Sequence, residues 1–215
     1  MLLLTRTLWF AATNTYVLAS EGGGSAVIVD VPPDPSAVLE ALREHDLSAA
    51  ALLVTHGHVD HVGGAGVVAE ATGAYAYVHP DDDFLTDAPE EQLRRLFGMV
   101  PPGDYRPPAE RVYLAHGQKH TLAGITFEVV HTPGHTPGHC CFLVEEEGIL
   151  FSGDQLFAGS IGRTDLPGGD LNALAESMRS RVMTLPDEVR VLPGHGPETT
   201  IGEERRSNPF RHLWS

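Results

Sequence analysis

The sequence predicts an α/β fold in which two β-sheets pack face to face with helices outside them. The first half of the chain alternates between apolar runs typical of buried strands and segments with helical periodicity. Strand patterns dominate from Arg111 onward, with one helical segment before the last strand. In addition, residues that can bind a metal follow the ends of several predicted strands, where open α/β folds build their sites.

Apolar runs and helical periodicity define the elements of the first half. Residues 35–44 are expected to form a helix, with Asp34 as its N-cap and Pro35 in its first position. A second helix, rich in small residues, is expected over residues 61–72 and should end at Gly73. The strands predicted here cover residues 4–10, 16–19, 26–29 and 49–54, with a turn at 12–14.

The middle of the chain, residues 81–108, is less regular and carries a short helical pattern at residues 90–97. A long connection of this kind often borders a functional site. Beyond it, a helix is expected over residues 172–184. Strands are predicted over residues 111–114, 125–131, 139–145, 149–152 and 188–192. The composition changes nowhere along the chain, so we predict a single domain spanning residues 1–215.

The composition argues against two classes of partner. With 14 basic and 29 acidic residues the chain has a net charge of −15, which disfavours nucleic-acid binding. Its apolar runs are shorter than the ~20 residues that a membrane helix needs, so no membrane partner is expected. Cys140 and Cys141 are adjacent in a strand pattern and should face opposite sides, which prevents pairing. We therefore predict a reduced, cytoplasmic protein, either a monomer or a small homo-oligomer.

The strongest chemical signal is a run of four potential metal ligands directly after the predicted strand 49–54. The run consists of His56, His58, Asp60 and His61. Imidazole and carboxylate together suit borderline divalent metals such as zinc, iron or manganese. Alone, Asp60 reads equally well as a helix cap and His56 as a loop histidine. Together on a turn that contains glycine, the four side chains predict a metal site.

Three more candidate ligands follow glycines near the ends of later apolar runs: His135, Asp154 and His195. Seven ligands are too many for one tetrahedral ion and suit two ions that share a carboxylate. The spacing does not choose among His131, His135 and His139, which form one repeated string. The residues thus predict a catalytic site with two divalent metals.

Such a pair of cations, about 3.5–4 Å apart, can hold a hydroxide between them at neutral pH. That hydroxide attacks an electrophilic carbonyl or phosphoryl centre without a separate protein base. A thioester suits this chemistry because its thiolate, with a conjugate-acid pKa of about 8.5, leaves without a strong general acid.

These motifs resemble those of the metallo-β-lactamase superfamily, whose signature His-x-His-x-Asp-His occupies residues 56–61. The resemblance runs nearly end to end and is strongest to the short glyoxalase II-like hydrolases. It rests on Thr-His-Gly-His-Val-Asp-His-Val-Gly-Gly, Thr-Pro-Gly-His-Thr-Pro-Gly-His, Ser-Gly-Asp, Gly-Arg-Thr-Asp and Pro-Gly-His-Gly. It implies an αββα four-layer sandwich, the metallo-β-lactamase-like fold.

The resemblance also implies a division of the ligands between the two ions, zinc above all, with iron or manganese as alternatives. One ion would be held by His56, His58 and His135. The other would be held by Asp60, His61 and His195. Asp154 would bridge both ions, and Asp60 and Asp154 are the predicted catalytic residues. Asp30 matches a position that supports the ligand loop.

The function that the resemblance implies is hydrolysis of a small thioester such as S-lactoylglutathione, as in hydroxyacylglutathione hydrolase. A bridging residue at Asp154 argues against penicillin hydrolysis, because lactamases of the superfamily generally lack it. Only twenty residues follow His195, so the C-terminal helical domain that helps glyoxalase II enzymes bind glutathione is expected to be absent. Arg163 is the candidate for binding a substrate carboxylate, with an ion pair to Asp165 or Asp170 as the alternative.

Two other functions remain open at the level of sequence. Persulfide dioxygenases of the same superfamily look similar around Gly-Arg-Thr-Asp but use one iron, which His56, His135 and Asp154 would hold here. A metal-binding protein without catalytic activity is the second alternative. Two ions per chain would favour hydrolysis, whereas a single Fe(II) with oxygen uptake would favour oxidation.

Overall fold

The computed structural model describes residues 1–214. The chain divides into two compact units. The first consists of Met1–Leu114 with Thr121–Ile125, and the second consists of Ala115–His120 with the chain from Thr126 onward. The single domain expected over residues 1–215 stays a prediction. Within residues 1–214, no helix is long and apolar enough to cross a membrane.

The first unit contains a six-stranded sheet in the order β1-β2-β3-β4-β5-β6. Its strands are β1 Leu2–Leu8, β2 Thr13–Ala19, β3 Ser25–Val29, β4 Ser48–Leu53, β5 Tyr75–Val78 and β6 Arg111–Tyr113. β1, β2 and β3 pair antiparallel, whereas β3, β4, β5 and β6 pair parallel. The carboxyl ends of the parallel strands therefore share one edge of the sheet, where Asp30 follows β3 and His56 closely follows β4.

The helices of this unit are α1 Pro35–Glu44, α2 Val59–Val62, α3 Ala65–Thr72, α4 Asp83–Thr86 and α5 Pro89–Phe97. The prediction for α1 is confirmed, whereas the single helix expected over residues 61–72 is wrong. The chain breaks it at Gly63 and Gly64, which pass close to other backbone. A Cβ at Gly64 would lie 2.3 Å from the carbonyl oxygen of Pro32. As predicted, Gly73 ends α3 in the left-handed conformation, with φ +76°.

The first hairpin also differs from the prediction, because its turn lies earlier in the chain. Trp9 and Ala12 take left-handed backbone conformations, with φ of 59° and 56°. Thr13 and Asn14, which were predicted to lie in the turn, are buried in β2 together with Thr15. The core of the unit brings together side chains of the sheet and of α1 and α3, including Ile28, Leu52 and Val38.

The second sheet has the order β14-β13-β10-β9-β8-β7. Its strands are β7 Lys119–Leu122, β8 Ile125–His131, β9 Cys140–Val144, β10 Ile149–Gly153, β13 Arg190–Pro193 and β14 Thr199–Thr200. A separate small hairpin is formed by β11 Leu156–Phe157 and β12 Ser160–Ile161. β10 pairs parallel with β13, and β9 pairs antiparallel with both β8 and β10.

The helices of the second unit are α6 Leu171–Ser177, continued by a π-helical segment over Met178–Val182, and α7 Ile201–Ser207. The strand predicted over residues 125–131 is confirmed, and those over 139–145, 149–152 and 188–192 are correct to within two residues. The predicted helix 172–184 is correct in place but changes its hydrogen bonding after Ser177. Its buried face joins the core through Leu174 and Met178. β7 and α7 are short and polar, and the sequence did not predict them.

Candidate metal centre

The first group of predicted ligands lies on the loop between β4 and α2 and is closely packed. His56, His58 and His61 are buried, and the Asp60 side chain is 22% exposed. The ring of His56 lies 4.8 Å from that of His58 and 4.1 Å from that of His61, measured between centroids. The Asp60 Oδ2 lies 3.5 Å from the His61 Nε2. The structure thus brings all four predicted ligands of the loop together.

A chain of hydrogen bonds fixes two of these imidazoles through Asp30. His61 Nδ1 donates to Asp30 Oδ2 at 2.7 Å, and the Thr55 backbone N–H donates to Oδ1 at 2.8 Å. The Thr55 hydroxyl donates to Oδ2 at 2.8 Å, which leaves its oxygen to accept from His56 Nδ1 at 3.0 Å. Both rings therefore carry their proton on Nδ1, and Nε2 is the atom with a lone pair for a metal.

The backbone of Asp30 is itself unusual, because it has φ +59°. Asp and Asn are the residues that tolerate this left-handed conformation best after glycine. The conformation follows the end of β3 and places the carboxylate under the ligand loop. The suggestion that Asp30 supports this loop agrees with its contacts.

The second group of predicted ligands comes from three separate strand ends. His135 lies in the connection between β8 and β9, Asp154 directly follows β10, and His195 follows β13. The Asp154 Oδ2 lies 3.5 Å from the Nε2 of His135 and 3.6 Å from the Nε2 of His195. The structure therefore brings these three residues together around one carboxylate oxygen.

Hydrogen bonds to the backbone hold this second group in place. His135 Nδ1 donates to the carbonyl of Arg163 at 2.6 Å, so that its Nε2 faces Asp154. The Asp154 backbone N–H donates to His139 Nε2 at 3.0 Å, and His139 Nδ1 lies 2.8 Å from the Thr132 hydroxyl oxygen. His139 is therefore a neutral, buried support for Asp154.

The three histidines of the repeated string thus have different surroundings. His131 Nε2 donates to the carbonyl of Pro137 at 2.8 Å, and His139 supports the backbone of Asp154. Only His135, of the three, has its Nε2 next to the Asp154 carboxylate among the contacts that the structure describes. Sequence spacing did not resolve this choice, and no sequence pattern indicated the contact between His135 and the Arg163 carbonyl.

Two glycines allow the close packing around these ligands. Gly162 passes so close to Asp154 that a Cβ would lie 1.8 Å from its carbonyl oxygen and 3.0 Å from His135 Nδ1. Gly134, with φ +144°, passes the backbone of Leu174 in the same way, and a Cβ there would lie 2.3 Å from the Leu174 Cα. Any other residue at either position must displace the ligand segment.

Arg163 forms the ion pair that the sequence left as an alternative. Its Nε and Nη2 donate to the two carboxylate oxygens of Asp165, both at 2.7 Å. This hydrogen bonding lowers the pKa of Asp165 to about 2. Both side chains are more than half exposed, so the pair contributes little to stability. Binding of a substrate carboxylate by Arg163 remains a prediction.

The donor atoms of each group fit a divalent cation. Two ligand atoms that share a tetrahedral zinc ion at about 2.0–2.2 Å are separated by about 3.4 Å. The carboxylate-to-imidazole distances of 3.5 Å at Asp60 and 3.5 and 3.6 Å at Asp154 match that separation. They are too long for direct hydrogen bonds, which need about 2.7–3.2 Å. The structure therefore has the chemistry and spacing of metal ligands in both groups.

Comparison with known proteins identifies relatives of the same kind. The family model described as the metallo-beta-lactamase superfamily matches residues 8–195. The chain is 40% identical over 187 residues to the hydroxyacylglutathione hydrolase GloC of Haemophilus influenzae, which covers 86% of this chain and 87% of that protein.

Solved structures resemble the chain over nearly its whole length. The B3 metallo-beta-lactamase BLEG-1 has a TM-score of 0.89 at 37% identity and covers 97% of this chain and 99% of its own. TTHA1623, solved in a di-iron-bound form, has a TM-score of 0.85 at 40% identity and covers 96% and 99%. These similarities confirm the predicted α/β, metallo-β-lactamase-like fold. The chain belongs to the metallo-beta-lactamase superfamily.

Proposed function

We propose that this chain is a metal-dependent hydrolase with two divalent ions, and that it cleaves a small thioester of the S-lactoylglutathione type. The ligands would be divided as the resemblance implies. His56, His58 and His135 would hold one ion, and Asp60, His61 and His195 would hold the other. Asp154 would be shared. The relative named hydroxyacylglutathione hydrolase supports this choice of substrate class.

The observation that carries the proposal is the position of the Asp154 carboxylate. Its Oδ2 lies at almost equal distances, 3.5 and 3.6 Å, from the Nε2 atoms of His135 and His195. These two histidines are the ones assigned to different ions. A carboxylate oxygen between them is the arrangement expected of a bridging ligand in a two-metal hydrolase.

When bound, two such ions supply Lewis acidity and lower the pKa of water towards neutrality. The chain's own residues hold the ligands in one protonation state. Asp30 and the Arg163 carbonyl keep the proton of His61 and His135 on Nδ1. A thioester needs no strong protein acid at its leaving group, because the thiolate is a weak base with a conjugate-acid pKa of about 8.5. The proposed site therefore needs no general acid beside the metal ligands.

Arg163 is our candidate for the acidic end of the substrate. Binding would require the guanidinium to exchange or share its bidentate partner Asp165. We expect Arg163→Met to raise the KM for a glutathione thioester several-fold with little change in kcat. Arg179→Met, which removes another exposed ion pair, is the control. An unchanged KM in the Arg163 variant would remove the residue from the proposal.

A persulfide dioxygenase with one iron on His56, His135 and Asp154 is the second candidate. The observation in its favour is the similarity to the solved structure of ETHE1 from Myxococcus xanthus, which has a TM-score of 0.80 at 28% identity. Iron is also present in TTHA1623, but as a pair of ions, which fits a dinuclear site. The larger ligand set favours the dinuclear hydrolase, because a single iron would leave Asp60, His61 and His195 without a metal to bind.

Elemental analysis of freshly purified protein, paired with a turnover panel, tests the proposal. The panel contains a glutathione thioester, a glutathione persulfide with oxygen uptake recorded, and a β-lactam. The β-lactam is included because of the similarity to BLEG-1. We expect two ions per chain and fastest turnover of the thioester. One iron per chain with oxygen uptake, or a preference for the β-lactam, would overturn the assignment.

A further inference from the structure

We infer that Gln92, on helix α5, is a positioning residue that holds His58 in the orientation needed to bind metal. The inference rests on the proposed function, in which His58 is a ligand. Gln92 lies in the long connection 81–108, within the short helix that the sequence predicted over residues 90–97.

The Gln92 amide bonds to the backbone on both sides of His58. Its Nε2 donates to the carbonyl of Gly57 at 2.9 Å, and its Oε1 accepts from the N–H of Val59 at 3.0 Å. The same Nε2 donates to the carbonyl of Leu85 at 2.9 Å. A flipped amide would place its oxygen against two carbonyls, so the hydrogen-bond network fixes the orientation. One side chain thereby ties down both peptide groups that flank His58.

The position of Gln92 is itself fixed by packing. The next residue, Leu93, is fully buried in a small cluster with Val59 and Tyr105. This contact sets the rotation of α5, which begins at Pro89 and ends at Gly98 in the left-handed conformation. Because the helix cannot turn about its axis without exposing Leu93, the Gln92 amide stays directed at the ligand loop.

A second contact closes the same loop segment. The Gly57 N–H donates to the buried carboxylate of Asp82 at 2.8 Å. A Cβ at Gly57 would lie 2.8 Å from the Cβ of Leu85 and 2.9 Å from the carbonyl of Asp82. The loop is therefore pressed against residues 82–85, and the Gln92 amide bonds both to the loop and to Leu85 of that segment.

The test compares Gln92→Met and Gln92→Glu with two controls. Methionine has a similar volume and favours helix but makes none of the three hydrogen bonds, whereas glutamate keeps the acceptor and loses both donors. Arg94→Met changes an exposed residue of the same helix. Val38→Ala, in the core of the first unit, supplies a loss of stability at a residue outside the Gln92 hydrogen bonds.

The readouts are zinc affinity by chelator competition, the visible spectrum of the cobalt-substituted protein, and thermal unfolding of the metal-free protein. We expect both Gln92 variants to lower the affinity for one of the two ions about 10–100-fold. We also expect an altered cobalt spectrum, while Arg94→Met and Val38→Ala bind metal as the unsubstituted chain does. Affinities in the Gln92 variants equal to those of the controls, or an equal loss in Val38→Ala at matched stability, would overturn the inference.

His58→Ala separates this inference from the proposed function. Loss of one ion in His58→Ala together with normal metal binding in Gln92→Met would overturn only the role of Gln92. Retention of both ions at full affinity in His58→Ala would overturn the ligand assignment and, with it, the role of Gln92.

Discussion

The two groups of candidate ligands differ in how the chain positions them. The first group takes four side chains from six consecutive residues after β4, and few hydrogen bonds to that one loop orient it. The second takes one side chain from each of three distant connections, and each ligand needs its own support. His135 depends on the Arg163 carbonyl and Asp154 on His139.

The difference has a consequence for sensitivity to mutation. In the ligand loop, a single supporting residue reaches several ligands, as Asp30 does for His61 and, through Thr55, for His56. Among the strand-end ligands, the shared element is the Asp154 carboxylate itself. In the first group, we therefore expect the loss of a supporting residue to disturb several ligands at once. In the second group, we expect the loss of the Asp154 carboxylate to have that effect.

The largest effect is expected for Asp154→Ala. Since the Asp154 Oδ2 lies beside both His135 and His195, its removal should lower activity by more than ~100-fold and reduce the bound metal below two ions per chain. Circular dichroism should show an unchanged fold. Asp104→Ala, an exposed carboxylate, is the control. Two tightly bound ions in the Asp154 variant would contradict its bridging role.

Asp30→Asn should have the next largest effect. Asparagine keeps the shape and tolerates φ +59°, but it removes the charge that accepts from Thr55 and His61. We expect metal affinity to fall about 10–100-fold and the free energy of unfolding of the metal-free protein to fall by about 1–3 kcal/mol. Chelator competition and denaturant titration measure these two quantities. Normal affinity in this variant would show that the ligand loop orients itself without Asp30.

Gly162→Ala tests the close packing of the second group. The added methyl would overlap the Asp154 carbonyl, so the segment must shift, at a cost of about 1–3 kcal/mol in the free energy of unfolding. Metal affinity should fall in parallel, because His135 is beside the same methyl. Gly24→Ala is the matched control, since a Cβ there meets nothing within 4 Å and its φ is not positive. Equal stability of the two variants would refute the packing argument.

The smallest effect concerns the two cysteines of β9, which follow His139 and are not joined to each other by a disulfide. Burial raises the pKa of Cys141 to about 12. Both thiols should resist iodoacetamide at pH 8 in the folded protein and react after unfolding in denaturant, as mass spectrometry would show. Rapid labelling of the folded protein would mean that the strand supporting Asp154 opens readily.

The raised pKa of Cys141 also determines how the free energy of unfolding changes with pH. The thiol of an unfolded chain has a pKa of about 8.5, so the unfolded chain releases this proton first as the pH rises. The free energy of unfolding should therefore be highest, as far as Cys141 contributes, below about pH 8.5, and should fall between about pH 9 and pH 12. Replacement by serine should remove this contribution from the pH dependence.

The two ligand groups also differ in how far the sequence predicted them. The ligand loop was recognisable because its spacing is local and follows a buried strand. The strand-end ligands were found from glycines beside His135, Asp154 and His195, but the choice of His135 within its string needed the family resemblance. Local signals therefore specified the candidate metal ligands better than the residues that support them.

The supporting residues were largely missed for a physical reason. Asp82 and Gln92 lie 25 and 35 residues from Gly57 in the chain, and nothing local marks an amide that bonds to distant backbone. The break at Gly63 and the burial of Thr13 to Thr15 were also missed, because tertiary packing overrode helical periodicity and residue polarity there.

Anomalous diffraction from crystals of the metal-loaded protein tests the central claim most directly. The proposal predicts two peaks, with donor atoms of His56, His58 and His135 about 2.0–2.2 Å from one ion and those of Asp60, His61 and His195 at the same distance from the other. Asp154 should contact both. A single peak, or two peaks that Asp154 does not join, would contradict the account.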